Sequence, residues 1–366
     1  MTSATIIGGG VIGLAVAKEI TEKFDEVYIL EKEEKFGEHA SGRSSEVNHA
    51  GIYYPLGSLK AKFCVEGNRL LREFCKKYGI THLDVGKLVV AVNEQEETEL
   101  ERLLIKSEQN GVPNPRIISG KEVRKIEPHV SCYAALEIPS SAVFDSASYL
   151  QTLAAIAQKK GAYLVNGTEV TNIETEKNKF KIHTKTEGVE QEPILTDFII
   201  NTAGVFSGKI AKMINPDNNY EIIPVKGESA IFSPSNPTLK VGRNIYPCPQ
   251  EYVMKNGEIT YTTGVHLTPT FDGQATVGPL YTNPRHREDY EISSSVKDFL
   301  ERVSPFFKSL EAEHLRLHQA GISAKLAGHK DFMIKRNGNC VHLLGIDSPG
   351  LTSSLAIGKY VKEMIK

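Results

Sequence analysis

The chain has 366 residues, 40% hydrophobic and 24% charged, with a formal net charge of −2. That balance gives no electrostatic footprint for nucleic acid or for a strongly anionic membrane surface. The length suits two domains, or one domain with an inserted lobe. Five widely spaced cysteines, Cys64, Cys75, Cys132, Cys248 and Cys340, contain no C-x-x-C pair. Free thiols in a reducing compartment are therefore expected rather than a zinc ribbon or a dithiol. No basic secretory n-region opens the chain, and no window reaches the ~20 apolar residues of a membrane span. The expected location is the cytoplasm, with the inner face of the membrane as the alternative.

A short apolar run, Ala4 to Ile7, leads into Gly8-Gly9-Gly10-Val11-Ile12-Gly13. A helical pattern follows, then a second apolar strand, Val27 to Leu30, ending on Glu31. Strand, G-x-G-x-x-G turn, helix and terminal acid are the parts of a dinucleotide-binding βαβ unit. Gly8 permits the tight turn, Gly10 lets backbone approach a pyrophosphate, and Gly13 lets helix and strand pack. The phosphates belong at the helix N-terminus, where free N–H groups favour negative charge. Glu31 stands where a carboxylate accepts ribose hydroxyls, which prefers NAD or FAD over NADP.

Next comes a long loop rich in small and hydroxyl residues, Ser41-Gly42-Arg43-Ser44-Ser45, which also carries His49 and the Gly51 to Pro55 segment. Loops of this length inside a domain are commonly functional. The apolar spacing predicts a helix over Ser58 to Tyr78, a strand over Lys87 to Val92, and helices over Glu94 to Gln109 and Lys121 to Ile126. Asp145 reads as the N-cap of a helix from Ser146 to Lys160. A small β-meander is predicted over Tyr163 to Thr184. Phe198 to Gly204 reads as a buried strand ending in small residues, with a helix after it. Glu221 to Tyr281 is β-rich, and a helix carries Val296, Phe299, Leu300 and Val303. His314 and His318 have i, i+4 spacing and read as a solvated helix face rather than a metal pair, since no third ligand is evident. Strands at Phe332 to Ile334 and Cys340 to Leu344 precede a glycine turn and a helix from Leu351 to Ile365.

The expected fold class is α/β (α+β overall), a Rossmann-like dinucleotide-binding domain (FAD-binding, on the resemblance that follows) with a discontinuous antiparallel β-sheet substrate lobe. Residues 1–80, 142–215 and 325–366 are assigned to the first, and 81–141 and 216–324 to the second.

Four stretches carry a resemblance. They are Ser44 to Tyr54 with Gly57 to Lys62; Ile245 to Pro249 with Gly264 to Gly273 and Gly278-Pro279; Gly345 to Ala356; and Asn201 to Gly204. Together they are similar to the L-2-hydroxyglutarate dehydrogenase/oxidase family, within the FAD-dependent group that includes D-amino-acid oxidase and glycine oxidase. The resemblance implies FAD, a small 2-hydroxy-acid substrate, and hydride transfer from C2 to flavin N5, with L-2-hydroxyglutarate going to 2-oxoglutarate. The second glycine turn, before Leu351, independently favours FAD over NAD.

Within that reading the cofactor residues are Gly8, Gly10, Val11, Ile12, Gly13, Glu31, Lys32, Ser41, Arg43, Ser44, Ser45, Ala203, Gly204, Gly345, Ser348, Pro349, Gly350, Leu351 and Thr352. A base with a near-neutral pKa removes the hydroxyl proton, which points to His49 and His266. Lys226 is the candidate for a substrate carboxylate, and Tyr53, Tyr54 and Tyr246 for the pocket wall. Relatives read G-I-R-P-K where this chain has Gly321-Ile322-Ser323-Ala324-Lys325, so either Lys325 or another cation replaces an arginine fork at Ser323, or the substrate differs from L-2-hydroxyglutarate. The alternatives are an amine oxidase of the glycine or sarcosine type, or a non-catalytic dinucleotide-binding protein. The electron acceptor is left open among oxygen, a quinone and another protein.

Overall fold

A computed structural model describes the chain apart from residues 178, 234–238, 254–258 and 366, and apart from the side chains of 250–253 and 259–262. The sequence-predicted meander and the β-rich stretch each run partly through these gaps.

One sheet has six strands, in the order Met333–Asn337, Cys340–Leu344, Phe198–Asn201, Ser3–Ile7, Glu26–Leu30 and Ala162–Val165. All neighbours are parallel except the first pair. Every residue of Ser3–Ile7 is buried, as expected of a central parallel strand covered on both faces. Ile6 pairs with Ile29 on one side and Ile200 on the other.

Three helices lock against this sheet through small residues. Val11–Ile20 lies so close to Gly350–Met364 that a Cβ at Gly358 would stand 2.6 Å from the Ala15 carbonyl oxygen. A Cβ at Gly67, in the helix Leu59–Tyr78, would stand 2.3 Å from the Thr352 carbonyl oxygen. Ser58 caps that helix by accepting from the Ala61 N–H. The predicted Asp145 cap is also formed, on the helix Ser146–Lys159.

The second large sheet has eight strands, in the order Leu315–Leu326, Ile222–Phe232, Ala275–Thr282, His266–Pro269, Asn244–Pro247, Lys87–Ala91, Ala134–Ile138 and Arg116–Ser119. Only Asn244–Pro247 and Lys87–Ala91 pair in parallel. Alternation sorts the side chains. Leu88, Val90, Ile245 and Leu267 join the core with Phe299 and Val303 of the helix Val296–Val303. Val89, Tyr246, Ala50 and Ile52 share a separate core.

The helical reading of His314 and His318 is overturned. His314 ends a single 3-10 turn, Ala312–His314, and His318 lies in an extended strand paired antiparallel with Ile222–Phe232. An i, i+4 spacing does not itself distinguish helix from strand, and the partner strand decided the outcome. Among the described residues no helix is long and apolar enough to cross a membrane.

Candidate active site

A cavity of about 520 Å³ runs between the two large sheets, reached by residues from both. One wall is the glycine turn. Gly8 holds φ +106°, and a Cβ there would lie 2.6 Å from the Thr202 carbonyl oxygen; a Cβ at Gly13 would lie 2.1 Å from the Gly8 carbonyl oxygen. Only a turn without side chains closes so tightly. Gly10, by contrast, faces the cavity, its nearest neighbour in the Cβ direction being Ser41 Oγ at 3.1 Å. Ser41 Oγ accepts from the Val11 N–H at 3.0 Å. Glu31, buried at the end of its strand, accepts from the N–H of Gly9 at 2.7 Å and of Glu33 at 3.0 Å, leaving each oxygen a free lone pair.

A second helix start meets the same space. Ser348, Pro349, Gly350 and Leu351 line the cavity, and no side chain caps the helix Gly350–Met364. Uncapped first-turn N–H groups there suit an electron-rich ligand. Gly10 without a Cβ, a fixed carboxylate at Glu31 and two helix starts on one cavity fit a dinucleotide.

Of the predicted cofactor residues, Gly8, Gly10, Val11, Ile12, Glu31, Lys32, Ser41, Arg43, Ser44, Ser45, Ala203, Gly204, Ser348, Pro349, Gly350 and Leu351 line the cavity. Gly13, Gly345 and Thr352 stand behind it. Gly345 packs on Leu326, and Thr352 is fully buried, its Oγ1 accepting from the His49 N–H at 3.0 Å and donating to the Val47 carbonyl at 3.2 Å. The Arg43 guanidinium lies over the Tyr290 ring at 4.0 Å and donates to the Glu38 and Ala320 carbonyls. Lys32 pairs with Glu33 at 3.2 Å and with Glu288. Glu33, His39 and Glu288 could hold a metal ion by proximity, but the Lys32 ammonium already supplies their positive charge.

His49 lines the cavity from the other side. Its peptide is held twice: its N–H donates to Thr352, and its carbonyl accepts from Asn68 Nδ2 at 3.1 Å. Neither ring nitrogen has a hydrogen-bond partner among the described residues. Burial, assisted by nearby Lys87 and His266, holds its pKa well below the ordinary histidine value, so the ring is neutral at pH 7.

The remaining candidates are placed elsewhere. His266 stacks on Tyr246 with centroids 3.6 Å apart, its Nδ1 directed at the Gly264 carbonyl 3.1 Å away. Burial, then Lys87, lowers its pKa to about 3, so this ring too is neutral near pH 7. Neither residue lines the cavity, nor do Tyr53 and Tyr54. Burial raises both phenols well above their ordinary range. Lys226 is a correction. It is not at the cavity but buried among Glu228 at 3.3 Å, Asp289 at 3.2 Å and the Glu291 carbonyl at 2.9 Å. Two carboxylates satisfy its charge, so none remains for a substrate. Burial pushes the Glu228 carboxyl up, but hydrogen bonds from Ser294 and Ser293 outweigh it and hold it at about 2. Ser323 lines the cavity with its hydroxyl donating to the Val225 carbonyl at 3.3 Å, whereas Lys325 is exposed.

Sequence reasoning missed Lys87, whose ammonium lies 3.7 Å from the Tyr246 ring centroid. The available signal was a lysine opening the apolar run Leu88-Val89-Val90-Ala91.

The family model for FAD dependent oxidoreductase matches residues 3–364, and the chain belongs to that family. It is an enzyme that uses FAD. Among known proteins it is 31% identical to a mitochondrial L-2-hydroxyglutarate dehydrogenase of Arabidopsis thaliana, over 97% of this chain and 82% of that one. It is 30% identical to an L-2-hydroxyglutarate dehydrogenase of Indibacter alkaliphilus, over 98% and 97%. Its fold matches the dithionite-reduced L-alpha-glycerophosphate oxidase of Mycoplasma pneumoniae with FAD bound, at a TM-score of 0.87 and 25% identity, covering 100% of this chain and 95% of that one.

Proposed function

We propose that this chain oxidises L-2-hydroxyglutarate to 2-oxoglutarate. The observation that carries the reaction type is His49: a half-buried, neutral imidazole, fixed through its peptide and lining the cavity. The names of the relatives at 30–31% identity support the choice of substrate.

In this reading His49 accepts the substrate hydroxyl proton, which it can do because it is unprotonated before substrate binds. Thr352 and Asn68 hold the peptide from which the ring projects. Bound FAD supplies the two-electron acceptor for the C2 hydride. The glycine turn, Glu31, Ser41 and the second helix start hold the cofactor through backbone N–H groups and one carboxylate. Residues 1–80, 142–215 and 325–366 form the cofactor half, and 81–141 and 216–324 the substrate half. The strand membership of the two large sheets supports this division, which only the last two residues of Leu315–Leu326 cross.

The test is anaerobic mixing of FAD-loaded protein with L-2-hydroxyglutarate, D-2-hydroxyglutarate, L-α-glycerophosphate, glycine and sarcosine, followed by flavin absorbance. Bleaching by L-2-hydroxyglutarate far faster than by the others is expected. Preferential bleaching by glycine or sarcosine would replace the reading with amine oxidation.

A further inference from the structure

Lys87 poses a problem that its own protein does not solve. It opens the fully buried strand Lys87–Ala91 and is 2% exposed. Among the described residues it has no carboxylate partner and no hydrogen-bond acceptor. Its ammonium rests instead against aromatic faces, Tyr246 at 3.7 Å and Tyr53 at 5.6 Å. A buried ammonium without a counter-charge is costly. Two other lysines illustrate the usual solution, Lys226 with Glu228 and Asp289, and Lys60 with Asp347 at 2.6 Å.

A second unanswered group lies at the same ring. His266 is stacked on Tyr246, and its Nε2 is buried without a partner. Both groups lie close enough to His49 to depress its protonation, and His49 lines the cavity. The ammonium left open on that ring awaits an anionic ligand, whereas His266 Nε2, a bare acceptor because the Nδ1–H donates to Gly264, has no part in holding one. The cavity itself supplies no alternative cation for a substrate carboxylate from the expected positions. Ser323 is uncharged, Lys226 is consumed, Lys325 is exposed, and Arg43 is engaged by carbonyls and Tyr290.

We infer that Lys87 receives a carboxylate of the substrate, in a buried subsite against the Tyr246 ring and beside His49, and so selects a dicarboxylate. The inference rests on the hydroxy-acid reading above for the identity of the substrate. The protonation behaviour agrees with it. Burial, opposed only weakly by Cys64, lowers the Lys87 pKa to about 7. An entering carboxylate restores the charge. The titratable groups facing Lys87 are His49, His266, Tyr53, Tyr246 and Cys64. Near neutral pH both histidines and all three acidic groups are uncharged, so no other group masks the lysine.

The experiment uses FAD-loaded protein and the inert dicarboxylate glutarate, with butyrate as the monocarboxylate control, followed by flavin absorbance and calorimetry. Lys87→Met should weaken glutarate binding ~100-fold and change butyrate binding by less than about threefold, with the flavin spectrum retained. Equal glutarate affinity in both proteins would overturn the assignment. If the variant fails to fold, the unaltered protein still decides. Proton uptake on glutarate binding should approach one at about pH 8 and be small at about pH 6, given a free lysine near 7. Uptake that is larger at the lower pH is the histidine pattern and would also overturn it. Glutarate is not oxidised, so these results stand apart from any failure to turn over L-2-hydroxyglutarate.

Discussion

The two walls of the cavity are made of different material. Around Gly8 and Gly350 the wall is backbone: bare turns, helix starts and a carboxylate fixed by two N–H groups. Around His49 and Ser323 it is side chains brought from separate strands and loops, with Lys87 and His266 behind them. A backbone wall cannot lose its donors by substitution, but it is destroyed by added volume. A side-chain wall tolerates little truncation, yet each residue can be removed without disturbing the other wall. The comparison therefore predicts which property each substitution should touch.

The largest effect is expected at His49. His49→Ala should slow flavin reduction by ~10²–10⁴-fold while flavin content stays near that of the parent, measured by anaerobic stopped flow and absorbance of the purified protein. Unchanged reduction would take His49 out of the chemistry. Gly13→Val should do the reverse, since its Cβ meets the Gly8 carbonyl oxygen at 2.1 Å. We expect loss of bound flavin and a destabilisation of about 1–3 kcal/mol or more by thermal melting. A Gly13→Val protein that keeps its flavin would break the distinction between the walls.

The pH dependence should sharpen it. The lowered His49 pKa means the base is already free at pH 7, so the reduction rate at saturating substrate should be flat there. It should fall about tenfold per pH unit only below that depressed pKa, on the acid side of 6.5. A rate limb at or above 6.5 would contradict the neutral ring. The smallest effect belongs to Thr352→Val, which removes the oxygen that accepts from the His49 N–H. About 1 kcal/mol of stability should be lost, with reduction slowed less than about tenfold.

The same difference explains what was legible beforehand. A backbone wall demands glycine, and so Gly8, Gly10, Gly13 and Gly350 announce it by residue type, with Glu31 and Ser41 at readable positions. A side-chain wall leaves no such mark. Lys226 was misplaced because its partners, Glu228 and Asp289, assemble only when the 282–295 segment folds back on the strand Ile222–Phe232. Lys87 was missed because a lysine at a strand start ordinarily lies at the surface, and nothing local shows that the whole strand is buried. His314 and His318 were misread because a spacing of four fits a helix and an extended strand alike, and the partner strand lies some 80–90 residues upstream.

The close approach of Gly358 to Ala15 has a consequence for how the protein is made. The strand Cys340–Leu344 reaches the opening strand only through Phe198–Asn201, and the final helix then seals the first one. At ~5–20 residues per second, the glycine turn leaves the ribosome on the order of a minute or less before its partner helix exists. Because Ser348 to Leu351 line the same cavity as Gly8 and Gly10, the complete FAD site exists only after both helix starts have been made and packed.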